Sequence, residues 1–479
     1  MPSADAPPAP PRRTWKQRLR AVPTELVILT ALAALTRFVA LSSPHAIVFD
    51  EVYFREFALH YKEHTYYFDV HPPLGKLLLG LWGAIAGVHA TALDKTDPAV
   101  ALRMLPALAG TLLIPVFYVM LRELSRSRRI ATFGAAMLLL DNALLVESRL
   151  ILVDSMLVLF GISAVTLALV ARRYTGRKYW VLLGLAAALG GATAATKVSG
   201  LTALGLVGLI WIVDVIRERR HWKPAVGQLV LLGLAPLLVY MAAFAVHFAL
   251  LTKTGANYDA YMGQPFQATL KGNPNYSADA HRSFLQKFAD LNGVMQRSQL
   301  SLDGQTHPYA SKWTSWPIMK RDVYLYVEGV ANNKARYLYT LGNPFVWWGT
   351  LLGAAIVLGG WALRRQRFAP YKWSLIFLAI GWVANYLPFA LIHRPMFLYH
   401  YLFGLVFSVA FVTVGLGALT GWSTEDHRPF TFETRRSTLV YWGLLAGALL
   451  AFLYFAPLTY GIPLTPDGLQ DRMWLKSWR

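Results

Sequence analysis

The sequence predicts an all-α polytopic membrane protein, and three observations carry that prediction. Apolar residues make up 55% of the 479 and charged ones only 15%, whereas a soluble chain carries nearer a quarter charged. Apolar runs long enough to cross about 30 Å of hydrocarbon recur about eleven times along the chain. Lys and Arg gather in short clusters on alternate connecting segments. That alternation is the positive-inside pattern. It also removes the nucleic-acid reading that a formal charge of +20 would invite, because the basic residues follow the loops and form no single patch.

Residues 1–23 are Pro/Ala-rich and then basic, through Arg12, Arg13, Lys16, Arg18 and Arg20. They are expected to form a disordered cytoplasmic N-terminus. The segment resembles the n-region of a signal peptide, with Ala31-Leu32-Ala33 as a cleavage-like site. The apolar run continues past Arg37 to Leu41, which favours an uncleaved first span. The expected spans are 24–42, 99–121, 130–147, 150–170, 179–196, 199–216, 225–251, 341–362, 373–392, 396–420 and 438–459. The loops at Arg122–Arg129, Arg172–Lys178, Arg217–Lys223, Arg364–Lys372 and 421–437 (Arg428, Arg435, Arg436) share the side of the N-terminal cluster. That side is the cytoplasmic one. The odd number of spans puts the tail, 460–479, outside.

The chain thus divides into an N-terminal transmembrane module, 24–251, and a C-terminal one, 341–459. The first contains an external loop, 43–98, that carries the candidate site; a second external loop, 252–340, lies between the modules. Loops of this length tend to be functional. Within the first, Val52–Tyr61 reads as a helix, and Leu77–Val88 is apolar but too short to span, so it reads as an interfacial or re-entrant helix. There is no cysteine, which excludes disulfides, thiolate catalysis and Cys-ligated zinc. No Gly-rich phosphate loop and no His-Glu-x-x-His spacing is present. Nothing in the sequence demands a metal cofactor, although a phosphate-bound Mg²⁺ leaves no sequence trace.

Asp50 and Glu51 sit side by side where the chain leaves the first span, and Asp69, His71 and Lys76 follow in the same loop. A carboxylate at a helix start can simply cap it. The competing reading is chemical, because carboxylates, a histidine and a lysine meet at the bilayer surface, where a lipid-linked substrate presents its head group. His71-Pro72-Pro73-Leu74-Gly75-Lys76 is stiffened by its prolines, with Gly75 expected to relax the turn. Arg37, Arg103, Asp141, Glu147, Arg149, Asp154 and Lys197 lie within or at the ends of apolar runs. A charge near the bilayer centre costs about 2.5–3.5 kcal/mol on insertion scales, so such residues pair or face a polar cavity. For Glu147, Arg149 and Asp154 a structural ion-pair set is the plainer account. His393-Arg394-Pro395 followed by Phe397-Leu398-Tyr399-His400-Tyr401 reads either as an interfacial aromatic belt or as a basic turn that binds a phosphate head group.

These stretches resemble the protein O-mannosyltransferase family (glycosyltransferase family 39) in its bacterial form. The matches are Phe49-Asp50-Glu51, His71 through Lys76, Arg103-Met104-Leu105-Pro106-Ala107, Asp141 through Ser155, Lys197-Val198-Ser199-Gly200, Ser315-Trp316-Pro317, Gly342-Asn343-Pro344 and Arg394 through Tyr401. They span most of the chain in order. The resemblance implies a GT-C fold with the active site on the external face of a bacterial cytoplasmic membrane. It implies a polyprenyl-phosphate-mannose donor and an acceptor Ser or Thr hydroxyl of an exported protein. Membrane lipids are expected around it, and no nucleic acid. By motif position Asp50 matches the family's catalytic acidic residue, the one expected to take the hydroxyl proton, with Glu51 its neighbour at the site. Arg103 matches an arginine expected near the donor phosphate, helped by Lys76, His71 or Arg394. Asp69, Arg149, Asp154, Lys197, Tyr399 and His400 are expected to build the surrounding site. Loop 252–340 is too short for the MIR domain of eukaryotic members.

A sugar phosphate carries a good leaving group, so one carboxylate base suffices where a glycosidase needs two. Two other readings compete: a lipid-donor transferase acting on lipid A or another glycan, and a transporter. No internal repeat with matched broken helices supports the transporter.

Overall fold

Apolar runs broken by polar turns become a bundle of antiparallel helices in the computed structural model, which describes residues 22–88, 98–217, 222–255, 257–422, 430, 432 and 434–478. The expected disordered N-terminus, but for residues 22 and 23, lies outside the described residues, as do Arg219, Arg220 and Arg428. The helices used below are α1 (Thr24–Phe38), α2 (Glu51–Glu63), α3 (Leu74–Ile85), α4 (Pro98–Ser125), α5 (Arg128–Leu139), α6 (Asn142–Arg149), α7 (Asp154–Ala171) and α8 (Gly176–Thr196). They continue as α9 (Leu201–Arg217), α10 (Trp222–Leu250), α11 (Phe284–Ser301), α12 (Pro344–Leu363), α13 (Lys372–Ala384), α14 (Leu402–Thr420) and α15 (Arg435–Tyr460).

Among the described residues nine helices are long and apolar enough to cross a membrane, or ten if the pair α5–α6, bent by 61°, is one span. This is a multi-pass membrane protein. Of the eleven expected spans, the first differs: α1 has 15 described residues, about 22 Å at 1.5 Å per residue. The short apolar stretch expected to lie at the interface is α3, with 12 residues.

The bend has a local cause. Asp141 ends one helix and caps the next, its Oδ1 accepting from the Leu144 N–H at 2.9 Å. Its Oδ2 accepts from the Asn343 N–H at 3.1 Å and Trp347 Nε1 at 2.7 Å. A buried carboxylate in an apolar run is thus supplied with donors from the Gly342-Asn343-Pro344 turn. Asn343 in turn caps α12 through Phe345 N and donates to the Leu140 and Ala448 carbonyls. At Gly342 a Cβ would lie 2.0 Å from Trp347 Nε1, so only glycine admits this indole.

Helices α7 and α14 form the centre: 72% and 78% of their most apolar windows are buried, against 22% for α10 and α15. Exposed Leu229, Val230, Leu234 and Leu238 on α10, and Leu450 and Leu453 on α15, form the rim that a bilayer would cover. At one end of the bundle Arg128 pairs with Glu25, Arg173 with Glu123 and Arg172 with Asp214. At the other end the segments 39–73, 251–255, 257–343, 385–401 and 461–478 pack together.

The second loop is more ordered than its composition suggests. Helix α11 starts on a capping box of Ser283 and Gln286. An antiparallel hairpin follows, β1 (Val323–Val330) and β2 (Lys334–Thr340), which an all-α reading does not contain. Asn332 and Asn333 at its turn adopt φ of 62° and 52°, a left-handed geometry asparagine tolerates.

Candidate active site

The chain leaves α1 and reaches Asp50 through Phe49, whose φ is 51°. A bulky residue in the left-handed region is strained, and such strain clusters at functional sites. The Phe49 ring is held edge-on by Phe397 at 6.5 Å and Tyr399 at 6.4 Å. Asp50 then occupies the N-cap of α2, but its side chain makes no capping bond. The half-buried carboxylate has no hydrogen-bond or ion-pair partner among the described residues. The capping account therefore fails for Asp50. Burial pushes its carboxyl up to about 6, with Asp154 and Asp69 adding to the rise and Lys197 opposing it.

Glu51 has the opposite surroundings. It is fully buried, and its Oε2 accepts from the Val48 N–H at 3.0 Å. Its two oxygens also take Arg103 Nε at 2.7 Å and Arg103 NH2 at 2.6 Å, and Oε1 accepts from the Ile151 N–H at 2.9 Å. The Arg103 guanidinium, equally buried, donates further to the carbonyls of Leu41, Pro44 and Ala46. These bonds tie the turn before α2, the start of α4 and the bent 150–153 segment into one clasp. Two expectations are corrected here. Glu51 is not free to act on a substrate, and Arg103 does not face a phosphate: every one of its nitrogens is occupied by the protein.

Lys76 is likewise committed, to Asp69 and to the His71 carbonyl. It lies buried on α3, which corrects its assignment to the donor phosphate. Asp69 is its counter-ion, and that pairing holds the Asp69 carboxyl below the usual range despite the upward push of burial. Gly75 serves contact more than turning: a Cβ there would lie 2.8 Å from Val153 Cγ1, so α3 can press against the 150–153 segment only through glycine. Arg149 does not join an ion set with Glu147 and Asp154. It donates to the carbonyls of Thr36, Arg37, Val39 and Ala40 and lies 4.4 Å over the Tyr460 ring. Glu147 accepts instead from Thr340 Oγ1 of the hairpin at 2.9 Å.

The remaining expected residues converge. His71, Asp154, Lys197, Arg394, Tyr399 and His400 all line one cavity of about 840 Å³. Lys197 Nζ donates to both Asp154 oxygens at 2.8 Å and lies 5.7 Å from the Tyr399 ring centre. An ammonium has three donors, so one remains for a ligand. Arg394 has no hydrogen-bond or ion-pair partner among the described residues and is half-buried. Burial lowers His71 to about 3 despite Asp69, so its imidazole is neutral. His400 stacks between Trp316 at 5.9 Å and Tyr399 at 4.8 Å. Asp50 does not itself line the cavity; it is joined to it by Phe49 against Tyr399 and by the field of Lys197 and Asp154.

The cavity has an apolar side. Leu157, Val158, Leu201, Leu391 and Phe403 contribute to it, and Val198, Leu201 and Leu391 are each more than half exposed on the bundle flank. A cavity lined both by cations and by apolar side chains, some of them exposed, suits an amphiphile with an anionic head. Polar groups that the sequence did not single out also face it: Asn292, Gln296, Gln299 and Asp303 from α11 and just beyond, and Asn385 and Thr202. The signal available for α11 was its Ser283/Gln286 cap.

Comparison with known proteins places these features in context. Residues 27–252 match the family described as dolichyl-phosphate-mannose-protein mannosyltransferase. Residues 284–478 match the C-terminal four-helix region of protein-O-mannosyltransferase. The polyprenol-phosphate-mannose–protein mannosyltransferase of Mycolicibacterium smegmatis is 25% identical over 94% of this chain and 92% of its own. Dolichyl-phosphate-mannose–protein mannosyltransferase 4 of Candida albicans is 30% identical over 60% of this chain, a match that spans only 40% of that longer protein. In structure, the Saccharomyces cerevisiae protein O-mannosyltransferase Pmt1-Pmt2 complex bound to the sugar donor superposes with a TM-score of 0.83 at 20% identity, covering 97% of this chain and 93% of the other. An archaeal oligosaccharyltransferase from Archaeoglobus fulgidus gives 0.51 at 13% identity, covering 97% and 60%. The fold is that of the GT-C glycosyltransferases.

Proposed function

This chain belongs to the protein O-mannosyltransferase family, and on that premise we propose that it transfers mannose from a polyprenyl-phosphate carrier to Ser or Thr hydroxyls of exported proteins. The single observation that carries the reading is the pairing of an unpartnered, proton-avid Asp50 with a cavity that joins Lys197 and Arg394 to an apolar flank. The acceptor oxygen attacks C1 of the sugar from the face opposite the phosphate. The C1–O bond to the phosphate breaks, the anomeric configuration inverts, and the hydroxyl proton passes to Asp50. Lys197 and Arg394 receive the charge of the departing polyprenyl phosphate through charge-assisted hydrogen bonds. The neutral His71 imidazole and the Tyr399 ring line the space beside it.

Within this proposal the Glu51–Arg103 clasp and the Lys76–Asp69 pair position the loop that holds Asp50. The Asp50 end of the bundle faces the exterior of the cytoplasmic membrane, and the Arg-rich end faces the cytosol, by the positive-inside rule. The test uses purified protein in detergent with polyprenyl-phosphate-mannose and a Thr-containing peptide. Hexose on the threonine, read by mass spectrometry with no sealed membrane present, is the expected result. Transfer to a glycolipid in place of the peptide, or none without a sealed vesicle, would replace this reading by another transferase or a transporter.

A further inference from the structure

A line of aromatic rings leads away from Asp50, along the exposed end of the bundle, to the hairpin. Phe49, next to Asp50, contacts Phe397 at 6.5 Å. Phe397 contacts His307 at 5.0 Å, His307 contacts Tyr309 at 6.0 Å, and Tyr309 contacts Tyr324 on β1 at 5.8 Å. These rings come from four separate segments of the chain. His307 is exposed and the other four are half-buried, resting on the core while leaving part of each ring accessible. The backbone beneath it is fixed: Ser311 N donates to the Met396 carbonyl at 2.8 Å.

The line ends at a strand edge. β2 is covered on its outer side near the turn, where Ala335 exchanges both backbone bonds with Leu464 at 2.9 Å. The outer edge of β1 carries no backbone bond to another segment among the described residues. An unpaired edge invites an extended chain. The ring-to-ring steps of 5.0–6.5 Å approach the roughly 6.7 Å between alternate side chains of an extended strand.

We propose that this track is the docking surface for the acceptor polypeptide, which lies extended from Asp50 over Phe397, His307 and Tyr309 and pairs with the edge of β1. The inference rests on the proposed transfer reaction, which needs a polypeptide at Asp50, and adds where the rest of that polypeptide goes. Recognition is then by backbone pairing and aromatic contact, which tolerate many side chains and demand an unfolded stretch on one side of the acceptor residue.

The experiment compares a twelve-residue Thr peptide with N-acetyl-threonine amide as acceptors for the full chain. The long peptide is expected to have a KM at least tenfold lower. Tyr309→Ala with Tyr324→Ala should remove most of that length advantage and leave the donor KM as it was. Tyr309→Phe with Tyr324→Phe should retain it. No length advantage in the wild type, or one that survives the double alanine substitution, would overturn the inference. A second measurement does not depend on turnover. Photo-cross-linking from a benzoylphenylalanine placed four to six residues from the threonine, in Asp50→Asn protein, should label residues 307–330. Labelling confined to other segments would overturn the inference even where transfer is confirmed, and labelling of 307–330 would stand even if the transferred group proved to be other than mannose.

Discussion

Two regions that share one dipeptide behave as opposites. Around Glu51 every donor and acceptor is matched: the carboxylate and the Arg103 guanidinium are buried, and all their polar atoms bond to the protein. One residue earlier, beside the cavity, charges are left with unused bonding capacity, on Asp50 outside its lining and on Lys197 and Arg394 within it. The first region resists change because removing either partner strands a buried charge. The second is chemically available because the protein has not saturated it. A charged cluster near a membrane surface is thus not one object; its matched part holds shape and its unmatched part keeps bonding capacity for a ligand.

The contrast breaks most sharply if its two ends respond alike to mutation. Asp50→Asn should lower transfer by about 10²- to 10⁴-fold, the usual loss of a general base. Its melting temperature should be unchanged or higher at pH 7. Folded-state burial lifts the Asp50 pKa from the ordinary carboxylate range to about 6, so ionisation opposes the fold as pH rises through that interval, and the amide removes the penalty. A large fall in melting temperature would place Asp50 with Glu51 instead. Arg103→Ala should do the reverse, costing about 3–5 kcal/mol of stability by stranding the Glu51 carboxylate. It would be measured as loss of folded protein in a detergent melt. An Arg103→Ala protein as stable as wild type, but unable to bind donor, would restore the arginine to the phosphate.

Smaller effects sharpen the comparison. Arg394→Ala should weaken donor binding by about 1.5–3 kcal/mol, the worth of a hydrogen bond to a charged group, with the melt unaltered; equal donor affinity would remove Arg394 from the phosphate site. Finally, kcat/KM should rise with pH through about 6 and level off above it, since only the ionised Asp50 accepts a proton. A profile flat between pH 5 and 8 would show that another group takes the proton.

Much of this was legible in the sequence, for physical reasons. A helix that spans lipid must be apolar over its whole length, so most spans and the Arg-rich loops could be read directly. The cavity residues His71, Asp154, Lys197, Arg394 and His400 were marked by ionisable side chains in or beside apolar runs, and Tyr399 by its place in the aromatic run beside Arg394. What could not be read was which charge faces which. Arg103 and Glu51 are 52 positions apart, and no periodicity encodes that meeting, so an arginine bound to protein and one free for phosphate look the same in one dimension. The hairpin was written in the alternation of Val323-Tyr324-Leu325-Tyr326 and the Asn332-Asn333 turn, but its polar surroundings read as loop. Gly75 was noted for the wrong property: Val153 was needed to show that space and not flexibility selected it.

The exposure of the apolar cavity residues Val198, Leu201 and Leu391 has a kinetic corollary. A donor that enters sideways, with its tail still dissolved in lipid, is met at a surface density. Velocity should then follow the mole fraction of carrier in the bilayer or micelle, and adding inert detergent at constant total carrier should slow the reaction as dilution in two dimensions does.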